Sequence, residues 1–137
     1  MKKKTLIGIL IIALLTIIGF FVLMTNFEIF DQPFETELKA ECDFQKTRKI
    51  KLTERDGNAV TNRSLHIYAT YCNNIDDTIS EPIFVVDAPF VNRNDVSFKW
   101  KSFDTLTIKY DKRLKVIEQK TESELINPRI VIKYTSK

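Results

Sequence analysis

Twenty consecutive positions, Thr5 to Met24, carry no charge (TLIGILIIALLTIIGFFVLM), and the rest of the chain never repeats that pattern. A helix rises about 1.5 Å per residue, so this run spans about 30 Å, the thickness of a bilayer's hydrocarbon core. Gly8 and Gly19 would weaken a helix in water; in lipid they are tolerated, because unsatisfied backbone there costs more. Beyond residue 46 the period changes to two. TRKIKLTE places Ile50 and Leu52 on one face, against Lys49, Lys51 and Thr53. SLHIYATYC sets Leu65, Ile67, Ala69 and Tyr71 inward. VSFKWK and TLTIKY alternate in the same way, while PIFVVDA is a continuous apolar run, as expected of a central strand. LKVIEQ and RIVIKY complete a set of six to seven short strands, and Pro128 suits the start of the last.

Asp56-Gly57 and Asn73-Asn74 supply turn chemistry between the first pairs. Ser102-Phe103-Asp104 is short enough to join its flanking strands as a hairpin, and Asp111-Lys112-Arg113 gives the same expectation for the next pair. Between the apolar run and the strands, 25–46 reads as a juxtamembrane connector. Pro33 interrupts any continuous helix there, and FETELKAECDF suggests one or two helical turns with Phe34, Leu38 and Cys42 along one face. A further helical turn is expected around Lys120 to Asn127. The expected fold is therefore mainly β: a cytoplasmic tail (1–4), a transmembrane signal-anchor (5–24), the connector (25–46), and a β-domain (47–137). That domain would be an antiparallel sandwich, small barrel or meander.

The alternatives to a permanent anchor fit less well. A cleaved signal has a shorter apolar core and small residues before its cut site, whereas this run ends in Phe20, Phe21, Val22, Leu23 and Met24. A lipoprotein signal needs a cysteine directly after the run, and the first is Cys42. A core helix of a soluble protein is rarely apolar on every face. Lys2, Lys3 and Lys4 precede the run, and the next basic residue is Lys39. Positive charge stays in the cytoplasm, so the expected location is a single-pass cell (inner) membrane protein with its domain outside.

Charge then changes the picture. The chain has 21 basic and 18 acidic residues; without the three N-terminal lysines the counts are 18 and 18. A neutral outer segment offers no overall electrostatic footprint for nucleic acid. The charges alternate in blocks: 28–43 acidic, Lys46 to Arg55 basic, Asp76 to Asp87 acidic, Lys99 to Lys115 basic. Opposite blocks meeting on a solvated surface is the default expectation, with a charged partner face as the alternative.

Two cysteines, Cys42 and Cys72, fall in the expected outer segment. An even count in an oxidising compartment points to a disulfide, with two unrelated buried thiols as the competing reading. Two cysteines and a distant His66 do not make a metal-ligand set. His66, with Ser64 and Tyr68 near it, lacks the oriented base and nucleophile pattern of a catalytic site and reads as a strand histidine. The acidic stretch NNIDDTISE, with Asp76, Asp77 and Glu81, has Ca²⁺-type oxygen ligands but no D-x-D-x-D-G spacing, and reads as a solvated acidic loop. Trp100, Phe98 and Tyr110 read as core rather than as an exposed platform, and Asn62-Arg63-Ser64 is a three-residue match to a glycosylation sequon. No catalytic residue, metal ligand or cofactor is assigned.

The stretch VSFKWKSFDTLTIKYD resembles a tryptophan-containing D-T-L-T-I-x-Y hairpin of small uncharacterised bacterial exported or membrane-anchored domains. The likeness covers about twenty residues. It implies bacterial origin and a β-domain, and no active site travels with it. The expected function is a non-enzymatic β-domain that binds another envelope protein, an immunity or inhibitor protein being one specific version. A membrane-tethered hydrolase and a structural subunit of a membrane complex are the alternatives. The expected partners are membrane lipid, through the helix, and an envelope protein.

Overall fold

The computed structural model describes residues 3–26, 34–57, 62–73, 78–88, 92 and 94–137. The chain forms two compact units, 1–32 and 33–137.

In the first unit, α1 (Lys3–Asn26) is a continuous helix. It is long and apolar enough to cross a membrane, and none of its large apolar side chains is buried. Two of its threonines bond back to the helix: Thr16 Oγ1 donates to the Ile12 carbonyl at 2.8 Å and Thr25 Oγ1 to that of Phe21 at 3.1 Å. Polar hydroxyls are thereby satisfied without water.

In the second unit, eight strands form two sheets: β1 (Glu35–Cys42), β2 (Arg48–Arg55), β3 (Ser64–Tyr71), β4 (Ser80–Asp87), β5 (Val96–Trp100), β6 (Thr105–Tyr110), β7 (Lys115–Gln119) and β8 (Val131–Ser136). One sheet has the order β1-β2-β3-β4-β7 and the other β5-β6-β8. All neighbours are antiparallel except β6 and β8, which run parallel. The inward residues of both sheets share one core, in which Ile50, Leu52, Leu65, Ile67, Phe84 and Val86 meet Val96, Phe98, Trp100, Leu106, Ile108 and Ile132. This is the mainly β sandwich that alternation implies.

Three local expectations are corrected. FETELKAECDF forms no helical turn: Glu35–Cys42 is strand β1, so the sheet begins within the supposed connector. A bulge at Leu38 explains the misleading pattern. Thr36 pairs with Glu54 and Glu37 with Thr53, but Lys39 pairs with Leu52, so the facing of the strand inverts there. The Asp111-Lys112-Arg113 turn joins no hairpin, because β6 pairs with β5 and β8 while β7 pairs with β4 in the other sheet. Residues 120–127 hold bends and one isolated bridge, Glu122 to Val131, rather than a helical turn; Asn127-Pro128 is a cis peptide.

The continuous burial along β4 has the same kind of cause. Ile67 pairs with Phe84 and Tyr68 with Pro82, leaving Ile83 as an extra residue. Inward facing passes from Glu81 and Ile83 to Phe84 and Val86, and all four are buried. After β7 the chain changes sheets. The Lys120 amide donates to the Ile83 carbonyl at 2.9 Å, and the Ile132 amide donates to the Thr121 carbonyl at 2.8 Å. The sandwich is closed along that side. Along the other, between β1 and β5, the sheets meet through side chains. Lys39 Nζ donates to the Phe98 carbonyl at 3.2 Å and sits 4.4 Å from the centre of the Phe98 ring.

Candidate functional site

The strand directions gather four connections at one end of the sandwich: the β1–β2 turn, the start of β4, the β5–β6 turn and the 120–130 segment. The chain enters β1 at the opposite end. Each connection at this tip carries an exposed large apolar residue: Phe44 (63%), Ile79 (47%), Phe103 (61%) and Leu125 (60%). Phe44 and Phe103 come from different sheets and meet edge to face, with ring centroids 5.8 Å apart.

What holds these residues is a buried polar frame. Arg48 follows the inward phase of Ile50 and Leu52, so its guanidinium enters the end of the core. Nε donates to Asp43 Oδ2 at 2.7 Å, and Nη1 to the carbonyls of Pro128 and Arg129 at 2.9 and 3.2 Å. Nη2 donates to the Phe103 carbonyl, and the Trp100 ring lies 5.5 Å from the guanidinium carbon. One side chain thus ties together the β1–β2 turn, the β5–β6 turn and the approach to β8. Asp43 also accepts from the Thr47 amide at 2.8 Å and the Thr47 hydroxyl at 2.9 Å, which closes a turn with Lys46 in the left-handed region (φ 56°). Burial alone would raise the Asp43 pKa, but the Arg48 and Thr47 hydrogen bonds outweigh it and hold the carboxyl below its ordinary value.

Glu81 does the same for the 120–130 segment. Its buried carboxylate accepts from the amides of Glu124 and Leu125, both at 2.9 Å, and from Lys120 Nζ at 3.1 Å. Burial pushes its pKa up, the two amides and the ammonium push it down, and the net shift is downward. Ser123 Oγ accepts from the Ile130 amide at 2.8 Å, and the Tyr71 hydroxyl accepts from the Asn127 amide at 3.0 Å. Cys42 and Cys72 form a disulfide at this end, with Cα atoms 5.9 Å apart.

Of the residues singled out from sequence, Cys42, Cys72, Glu81 and Trp100 lie at this end; the others fall elsewhere. His66 lies on the outer face of the five-stranded sheet, with Nε2 2.8 Å from Ser64 Oγ and Nδ1 3.2 Å from the Tyr68 hydroxyl. Burial lowers its pKa, with Glu35 opposing and Arg55 reinforcing the shift. The structure therefore brings Ser64, His66 and Tyr68 together. The described backbone around them is engaged in pairing with β2 and β4. Glu81 is a buried anchor rather than part of a solvated acidic loop; Asp76 and Asp77 lie outside the described residues. Among the described residues no group of His, Cys, Asp and Glu is arranged to hold a metal ion. Trp100 and Phe98 are core, as expected, and Asn62 is exposed.

Reading from sequence missed Phe44 and Phe103 as surface residues. The available signal was a bulky aromatic inside an otherwise polar turn, in CDFQK and in KSFDT.

Comparison with known proteins finds no match to this chain among family models, curated proteins or solved structures. An N-terminal apolar helix, acting as signal or anchor, followed by a disulfide-bonded β-domain is consistent with a secreted or membrane-anchored extracytoplasmic protein.

Proposed function

We propose that the chain is a single-pass membrane protein, anchored by α1 with its N-terminus inside. Its extracytoplasmic β-domain binds another envelope protein through the apolar tip. One observation carries this reading: Phe44 and Phe103, both more than 60% exposed, are held against each other by turns that Arg48 fixes from below. Exposed aromatics on a rigid base lose little entropy on binding and are the residue type that dominates protein–protein contacts. An immunity or inhibitor protein, kept by its anchor beside the toxin or enzyme it restrains, is the specific form of this reading.

In-cell crosslinking from a photoreactive residue at position 125 tests it. A discrete adduct with one envelope protein is expected, lost when Phe44→Ser and Phe103→Ser are combined. A missing adduct, or one indifferent to both phenylalanines, overturns the reading. Topology is tested separately by thiol alkylation in intact cells: Cys42 and Cys72 should react only after reduction.

A second reading has its own observation, the 2.8 Å contact between Ser64 Oγ and His66 Nε2 in a tethered hydrolase. It requires phosphonylation of Ser64 Oγ by an active-site-directed fluorophosphonate, with loss of fluoride, and an unlabelled Ser64 removes it.

A further inference from the structure

The outer face of the three-stranded sheet is built from lysine and small hydroxyl residues. Register places Ser97, Lys109 and Thr135 in one row, Lys99, Thr107 and Lys133 in the next, and Thr105 and Val131 beyond them. Lys101 continues the outward phase of Ser97 and Lys99 past the end of β5. No acidic residue occupies any of these positions.

Elsewhere in the domain several cations find carboxylates. Glu35 lies 3.5 Å from Arg55, Asp56 lies 3.0 Å from Arg63, and Glu122 lies 3.0 Å from Arg129. The first acidic and basic blocks of the sequence do meet, across β1 and β2. In the Lys99–Lys115 block Arg113 pairs with Asp111, but among the described residues no ion pair reaches Lys99, Lys101 or Lys109, nor Lys133 beside them. Since the outer segment is neutral overall, four unpaired positive charges on one face mark a segregated surface. The face is also concave, with a depression of about 600 Å³ bordered by Ser97, Lys99, Lys101, Thr107 and Lys109. Ammonium groups flanked by hydroxyls suit phosphate oxygens.

Covalent geometry limits what this face can meet. Residues 27–34 separate α1 from β1, and at about 3.3–3.6 Å each they reach at most about 30 Å. If α1 is the anchor, this tether keeps the start of β1 within about 30 Å of the end of the span, which raises the frequency of encounters with the bilayer surface without itself holding the face there.

We propose that this lysine face docks on the phosphate headgroups of anionic lipids in the membrane that holds α1. The domain is then seated at the bilayer with its apolar tip free to engage a partner. This proposal rests on the anchor reading above, whose failure appears as release of the domain from carbonate-washed membranes and not in the experiment that follows.

The test is amine-acylation footprinting of the full chain reconstituted in lipid vesicles. Vesicles containing about one third phosphatidylglycerol should slow acylation of Lys99, Lys101, Lys109 and Lys133 by about threefold or more, relative to pure phosphatidylcholine. Lys46 and Lys115 should be unaffected. Raising salt to about 0.5 M should remove the protection, because the screening length falls below about 5 Å. In the variant K99E/K109E, protection of Lys101 and Lys133 should vanish. Equal labelling in both vesicle types overturns the proposal. So does protection by soluble glycerol phosphate over neutral vesicles, which would make the face a site for a free phosphate. Protection that appears only when an acidic protein is added would assign the face to a protein partner and equally overturn it.

Discussion

The Arg48 guanidinium and the Asp43 carboxylate meet at 2.7 Å with side chains only 2% and 0% exposed, at the point where the two sheets and three connections converge. A buried pair of this kind gains little over an apolar substitute, but losing one partner strands the other charge. Asp43→Asn or Arg48→Met should cost about 3–5 kcal/mol each. The double variant should cost less than the sum, because the stranded charge is then gone. Urea unfolding of the four proteins measures the coupling.

Glu81 gives a second, independent test. Glu81→Ala removes the acceptor for two amides and should cost about 3 kcal/mol. Lys120 is partly exposed and Glu81 would keep its two amide donors, so Lys120→Met should cost clearly less than Glu81→Ala. Hydrogen exchange at the Glu124 and Leu125 amides should accelerate in Glu81→Ala and stay near wild type in Lys120→Met.

Acid should act in two stages. His66 has a lowered folded pKa, so the native state resists protonation; its contribution is complete above the unfolded pKa of about 6.5 and declines as pH falls below that. Asp43 and Glu81 have lowered folded pKa values, so their contributions are complete above their unfolded values, about 4, and are lost as pH falls through the folded ones. Unfolding free energy should therefore decline gently from neutral pH and steeply below about 4. His66→Gln should abolish the first stage and leave the second.

The disulfide closes a loop with a sequence separation of 30. Replacing both cysteines by serine should lower stability by about 3–4 kcal/mol in the chain-entropy model. The loss should be accompanied by faster exchange at the tip, since Cys42 and Cys72 sit beside the Arg48 frame. Unchanged stability would mean that the unfolded chain is already constrained by other contacts.

What the sequence made legible was whatever a strand states locally. Ile50 and Leu52, Leu65 to Ala69, and Val96 to Trp100 each announce one buried face, and seven of the eight strands carry such a run. Strand β1 does not. As an edge strand it bears Glu35 and Glu37 on one side and, after the bulge, Lys39 and Glu41 on the other, so no apolar alternation survives. Its remaining apolar residues, Phe34, Leu38 and Cys42, fall at helical spacing. Partner choice was equally hidden, because the short turn after Tyr110 favours a hairpin and only packing shows that β7 belongs to the other sheet. The tip was illegible for a related reason. Glu81 finds its amide donors more than forty positions away, and Arg48 finds carbonyls at Phe103, Pro128 and Arg129, pairings that no local pattern encodes.

Lys39 has one more consequence. Its ammonium points inward from the outermost strand and occupies the Phe98 carbonyl, so a strand from a neighbouring copy would have to displace or entomb a charge before pairing along that seam. This is a guard against edge-to-edge polymerisation. A single Lys39→Val exchange would turn a soluble rim into an adhesive one.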